Sequence, residues 1–244
     1  MNNVPIITID GLASSGKTTI SKLLSNHLGF YILDSGVLYR AFAYIKIIEK
    51  IDTYTVDVIA KIIRNLKMAP KKDLGFSIIY NSNDITNNLY SEEIGLEASN
   101  ISKNEDIRNV LLSIQHACVQ APGLIANGRD MGTKVFPEAA LKIYFTASID
   151  VRAKRRYEQL IKSGSSPNLI NIRKSLEERD EKDINREVSP LKAAKDAIII
   201  NSSELNIDTI LDKILGLYKI SRVWIKWGKK INGTPIRIWS IISW

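Results

Sequence analysis

The chain has 244 residues, 45% hydrophobic and 25% charged, with 34 Lys and Arg against 26 Asp and Glu. That composition suits one large globular domain, or a domain carrying an inserted subdomain, and it is long enough to bury a core without staples. It excludes a disulfide scaffold, since Cys118 stands alone, and argues against structural zinc, since His27 and His116 lack the partners of a tetrahedral N/S site. No run approaches the roughly 18 apolar residues of a membrane helix. Residues 1–10 hold no basic region followed by a long apolar stretch, so nothing reads as a signal peptide and a cytoplasmic location is expected. The formal charge is +8, but residues 219–244 contribute six basic residues and no acid, leaving +2 for residues 1–218. All four tryptophans (Trp224, Trp227, Trp239, Trp244) lie in that same tail.

In chain order, Val4 to Asp10 is a short apolar, β-branched run that predicts a buried strand. From Lys17 a helical pattern places Ile20, Leu23, Leu24 and Leu28 on one face, and Gly29 stops it. Phe30 to Leu33 predicts a second strand, Leu38 to Ile48 a helix, and about Val56 to Leu66 another. Residues 67–90 alternate short apolar runs with Asn81-Ser82-Asn83-Asp84, the pattern of small antiparallel strands inserted into a β/α chain. Helices are expected over 92–102 and 106–121, strands at Leu124–Ala126 and Leu141–Phe145, and a helix from about Asp150 to Lys162. A polar helix follows Pro167 to about Arg186, then a strand at Ala197–Ile200 and a helix at Ile207–Leu217. Five short apolar strands separated by helices imply an α/β fold: a five-stranded parallel sheet flanked by helices on both faces.

Between the first strand and first helix, Gly11-Leu12-Ala13-Ser14-Ser15-Gly16-Lys17-Thr18 matches G-x-x-x-x-G-K-[ST]. Gly11 and Gly16 let the loop wrap so that successive N–H groups face one anion, and the helix N-terminus adds its partial positive charge. Lys17 supplies a mobile cation for the β- and γ-phosphates, and Thr18 a hydroxyl for Mg²⁺ or phosphate. Two further segments, Leu33 to Arg40 and Gly128 to Thr133, follow strand C-terminal ends, the edge at which α/β sheets bind ligands. Arginines and a hydroxyl converging there suit a second phosphate. Arg152, Arg155 and Arg156, at i, i+3 and i+4, put three guanidiniums on one helical face, a candidate phosphate clamp or a solvated basic face.

These segments, with Val135 to Ala139, Glu178-Arg179-Asp180, Asn185-Arg186 and Ser189 to Lys192, resemble bacterial cytidylate kinase, of the nucleoside monophosphate kinase group. The resemblance covers about residues 4–218. It implies a single P-loop kinase domain with an NMP-binding insert at about 36–105, holding the small antiparallel sheet, and a helical LID at about 150–187. It implies phosphoryl transfer from ATP, as Mg-ATP, to CMP and dCMP. By motif position Gly11 to Thr18 and Thr19 would hold ATP, Ser35 and Arg40 would meet CMP, and Ser99, Arg108 and Asp130 would read cytosine. Arg129 would contact phosphate, Asp183 the ribose, and Arg179 and Arg186 would close over the phosphates. Lys17, Arg129, Arg179 and Arg186 are thus the expected catalytic set, and a monomer is expected. Leu12, Ala13 and Thr18 depart from the family loop, leaving Thr18 or Thr19 as the metal-side hydroxyl. Asn127 stands where an acid is usual, and Lys182 and Ile184 flank Asp183 in a stretch usually richer in arginine. The alternative these departures raise is a nucleotide-binding protein of weakened or lost turnover. Residues 219–244 lie outside the resemblance. Alternation at Val223, Ile225, Trp227 and at Ile236, Ile238 around Asn232-Gly233 fits a small hairpin, and basic residues among tryptophans fit nucleic-acid or membrane-surface contact, against the plainer reading of an unordered or passively packed extension.

Overall fold

The computed structural model describes residues 4–227, with side chains to Ser221. Strand β1 (Ile6–Gly11) lies at the centre of a five-stranded sheet with β2 (Tyr31–Asp34), β6 (Leu124–Gly128), β7 (Leu141–Thr146) and β8 (Ile198–Asn201). The order is β2-β6-β1-β7-β8 and every pairing is parallel. Alternation sends Ile7, Ile9 and Ile125 to one face, against Ile20 and Leu24 of α1 (Lys17–Leu28) and Ile210, Leu211 and Ile214 of α8 (Ile207–Trp227). Leu33, Leu124 and Ala126 go to the other, against Met131, Val135 and Phe136. Both faces are covered, which is why these strands read as continuous apolar runs.

The register brings the strand ends to one edge: Asp10 lies beside Gly128 of β6 and Tyr144 of β7. At the next residue the chain passes so close to β7 that a Cβ on Gly11 would sit 1.9 Å from the Phe145 carbonyl oxygen, at φ +142°. Only glycine fits there.

The insert between β2 and β6 has its own core. Helix α2 (Ser35–Ile48) packs Phe42 and Ile45 against Ile62 of α3 (Val56–Asn65), Ile78 of β4 (Phe76–Tyr80), Leu89, and Ile107 and Leu111 of α5 (Glu105–Ala117). Strands β3 (Leu66–Pro70), β4 and β5 (Asn83–Asp84) form the small antiparallel sheet, and α4 (Glu92–Ile101) lies along α2. Beyond β7, α6 (Ile149–Lys162) and α7 (Leu169–Asn185) form an arm packed around Ala153, Ile172 and Leu176.

Several boundaries differ from the sequence expectation. Helix α2 starts at Ser35 rather than Leu38, because the Asp34 carboxylate accepts the Gly36 N–H and caps the helix. The turn after β4 is only Asn81-Ser82, both at positive φ, so Asn83–Asp84 is strand. Helix α5 ends at Ala117, not at 121. Helix α8 runs on to Trp227, so Val223, Ile225 and Trp227 are helical and are not the first strand of a hairpin. A nucleated helix extends at little cost, and two-residue alternation over so short a run does not outweigh that. Ile236, Ile238, Asn232-Gly233, Trp239 and Trp244 lie outside the described residues. No described helix is long and apolar enough to cross a membrane.

Gly11→Ala should lower unfolding stability in urea by roughly 3 kcal/mol or more, the scale of a backbone clash with no room to relax. Gly216→Ala, with nothing within 4 Å of its Cβ position on exposed α8, should instead raise stability by about 0.5–1 kcal/mol. A Gly11→Ala loss no larger than that gain would contradict the close-passage account.

Candidate active site

The loop from Gly11 to Thr18 turns through three positive-φ residues, Gly11, Ser14 and Gly16, a sequence of bends that gathers amides toward one point at the α1 N-terminus. Lys17 is buried and folds back, its Nζ donating to the Leu12 carbonyl at 2.6 Å and reaching Ser15 Oγ at 3.5 Å. Burial, then the neighbouring Arg129 charge, holds its pKa well below the ordinary lysine value, against the opposing pull of Asp34 and Asp10. Thr18 and Thr19 are both exposed, but Thr18 faces the end of β6: Asn127 Nδ2 donates to Thr18 Oγ1 at 3.4 Å.

Across from the loop, Ser35 lies buried at the start of α2, its hydroxyl so near Gly128 that a Cβ there would be 2.6 Å away. One turn on, the Arg40 guanidinium donates to the Leu89 and Ser91 carbonyls (2.9 and 3.3 Å), stands 6.0 Å from the Tyr90 ring and lies against Gly95. Arg129, directly after β6, donates Nε–H to Asp183 at 2.7 Å and a second N–H to the Gly128 carbonyl at 3.2 Å. Asp130 pairs with Arg108 in a buried ion pair. Arg108 also donates to the Ser102 carbonyl at 2.9 Å and lies 5.5 Å over the Tyr39 ring. Half-buried Ser99 is on α4, one turn before Ser102.

Helix α7 brings the third side. Burial raises the Asp183 carboxyl, but Arg129, by charge and hydrogen bond, overcomes this and holds it below the ordinary value. Arg186 donates Nε–H to the Ser189 carbonyl at 2.5 Å and stands 3.9 Å from Asp183. Its second terminal nitrogen is buried and has no hydrogen-bond partner among the described residues, an orphaned cationic donor. Arg179 keeps part of its surface open while its head is crowded by Arg129, Asp183, Arg40 and Asp180. Arg40, Arg179 and Arg186 all have pKa values lowered first by burial; Arg129 beside Arg179 and Arg108 beside Arg186 lower them further, whereas Asp34 opposes the shift at Arg40. Cations held at such a disadvantage are stabilised by an anion.

The three α6 arginines do not act as a set. Arg152 is buried, donating to the Ala147 and Ala13 carbonyls and to Asp180, and Arg155 donates to the Ser15 carbonyl and to Ser202. Among the described residues Arg156 is bonded to Gln159, and it stands near enough to Arg40 to disfavour its charge. Of the three clamp candidates, two are bonded to the phosphate loop and its neighbours, because α6 lies directly against that loop, and neither Arg152 nor Arg155 is on a solvated basic face. Sequence reasoning also passed over Asp10 and Asp34. Asp34 could have been found as a capping signal ahead of Ser-Gly. Asp10 accepts the Met131 and Gly132 N–H groups at 2.9 and 2.8 Å and so holds the turn after Asp130, a partner 121 residues away that no local signal announces.

Burial raises Asp10 to about 6 despite those hydrogen bonds. Its native value lies above its unfolded value, so the ionised form costs the fold about 3 kcal/mol at pH above 6. That cost is lifted as pH falls from about 6 toward 4, and Asp10 then ceases to oppose folding. Carboxyl ¹³C titration should give a midpoint near 6 for Asp10; a midpoint at the ordinary aspartate value would contradict this account.

Comparison with known proteins agrees with the geometry. The family profile described as cytidylate kinase matches residues 7–220. A cytidylate kinase of Ralstonia pickettii (strain 12J) is 42% identical over 215 residues, 88% of this chain and 92% of its own. One from Burkholderia vietnamiensis (strain G4 / LMG 22486) is 40% identical over 88% of this chain and 93% of its own. Among solved structures, the shikimate kinase of Bacteroides thetaiotaomicron matches 88% of this chain and 98% of its own, at 13% identity and TM-score 0.44, too distant to bear on function. With the phosphate loop, the arginine-lined opposite wall and these relatives in agreement, the chain belongs to the cytidylate kinase family.

Proposed function

We propose that this protein transfers the γ-phosphate of ATP to CMP, and also to dCMP, giving ADP and CDP or dCDP. The observation that carries the reading is the row of cations between the phosphate loop and the Arg108–Asp130 pair. Lys17 stands at the loop, Arg40 and Arg129 face it, and Arg179 and Arg186 flank them. A triphosphate held by the loop and a monophosphate held by Arg40 and Arg129 would meet within that row. At its far end Arg108 and Asp130 offer donors and an acceptor side by side, the complement of the 4-amino group and N3/O2 edge of cytosine, and Ser99 would join them as the family resemblance implies. Asp183 would take the ribose hydroxyls, the role that the family resemblance implies for it.

The chemistry asks for positioning and charge stabilisation rather than covalent help. The acceptor phosphate oxygen is already anionic near neutral pH, so no general base is required. Arg129, Arg179 and Arg186 would spread the charge of the transferred group. Mg²⁺, bound with ATP, would neutralise the β- and γ-phosphates. Among the described residues no group of three or more His, Cys, Asp and Glu could hold a metal, so the ion would arrive on the nucleotide. Thr18 Oγ1, held by Asn127, is the protein ligand that fits. The family resemblance carries the reading of a monomer, and a nucleotide substrate is in keeping with the cytoplasm.

Release of ADP should depend on the acceptor, with CMP and dCMP turning over faster than UMP, AMP or GMP. ATP binding without CMP-dependent transfer would overturn the function. Asn127→Asp should tighten Mg²⁺ binding to the ADP-loaded protein by about tenfold, the scale of groups that hold a metal's ligands. Calorimetric titration of Mg²⁺ checks it, and unchanged affinity would separate Asn127 from the metal.

A further inference from the structure

One residue of the phosphate loop is held on every side by the arm. The Ala13 N–H donates to Asp180 Oδ1 at 3.4 Å, and the Ala13 carbonyl accepts from Arg152 at 3.2 Å. The same Arg152 nitrogen closes the ring onto Asp180 Oδ2 at 2.5 Å, and its Nε donates to the Ala147 carbonyl at 3.0 Å. The Ala13 methyl is buried among Ala153, Ile172 and Leu176 of α6 and α7. Two residues on, the Ser15 carbonyl accepts from Arg155 at 3.3 Å and from Ser202 at 2.8 Å.

These contacts bear on the loop's anion-binding face. Across a trans peptide the C=O of one residue and the N–H of the next point in opposite directions. Drawing the Ala13 and Ser15 carbonyls outward onto Arg152, Arg155 and Ser202 turns the Ser14 and Gly16 amides inward. Asp180 also belongs to α7, the helix that carries Arg179 one residue before it and Asp183 three residues after it, with Arg186 at its end. The carboxylate is therefore the point at which the donor loop and the transfer-side arginines are referred to each other.

We propose that Asp180, through its ring with Arg152 and Ala13, is a positioning residue: it registers α7 against the phosphate loop and so sets the distance between the bound triphosphate and Arg179, Asp183 and Arg186. It touches neither substrate. The proposal rests on the kinase reading, and it predicts a loss in the rate of transfer rather than in acceptor binding, because misplacement on the order of 1 Å is enough to cost up to about a hundredfold.

Asp180→Asn leaves a buried guanidinium unpaired and will lower stability as well as rate. The deciding variant is therefore Arg152→Met with Asp180→Leu, an apolar pair that removes both charges while refilling the space. Three quantities are read for each protein: thermal midpoint, kcat and KM for CMP, and hydrogen exchange at the Ala13 and Ser14 amides. The paired variant should regain most of the stability lost in Asp180→Asn, yet keep a kcat about tenfold or more below the parent with KM for CMP within about threefold. Exchange at Ala13 and Ser14 should quicken in both. A paired variant whose kcat returns with its stability, or unchanged exchange at Ala13 in Asp180→Asn, would reduce Asp180 to a structural residue. If the parent protein itself phosphorylates no CMP, the functional reading fails, and the exchange data alone decide whether the ring orders the loop.

Discussion

The close passage of Gly11 beneath the Phe145 carbonyl is the constraint on which the site depends. It forces the chain leaving β1 to run against β7 before it turns, and every later bend of the loop is measured from there. Because β1 is flanked by β6 and β7 in parallel register, the same edge also receives Asn127, Gly128 and Arg129. Asp10, buried and bonded to the amides after Asp130, ties the third of these segments down. The sheet thus supplies a rigid floor, and the insert and the arm bring their arginines to it from either side.

Net charge is a poor guide to how this site works. Residues 1–218 carry a formal +2, yet Lys17, Arg129, Arg179 and Arg40 lie near enough to disfavour one another's charge, and three acids near them are already paired. Asp183 is bound to Arg129, Asp130 to Arg108, and Asp180 to Arg152. What remains is an excess of positive charge in a place where burial makes it costly, most plainly at Lys17 and at the unpartnered nitrogen of Arg186. An anion beside these groups would relieve that cost.

Much of the fold was legible because its signals are local. Buried parallel strands announce themselves as short β-branched runs, and the phosphate loop as glycines and a lysine between a strand and a helix. Arg129 and Asp130 could be placed at the ligand edge because they follow a strand. The errors fell where a distant partner overrode a local pattern. Spacing alone put Arg152, Arg155 and Arg156 on one helical face, but it could not show that α6 lies against the loop, so that Arg152 meets Asp180 twenty-eight residues on and Ala13 far behind it. Alternation at Val223, Ile225 and Trp227 suggested a strand, while the helix already begun at Ile207 carried through them.

By itself the sequence determined the α/β sheet, the phosphate loop and the family's set of arginines and acids, since each is written in contiguous residues whose chemistry or periodicity is self-contained. Only the tertiary structure decided which of those charges are spent on one another and which remain for a ligand. A guanidinium reads the same in sequence whether it faces a carboxylate or a cavity. The difference lies in what packing brings within about 3 Å of it, a matter of helices meeting across a hundred residues or more.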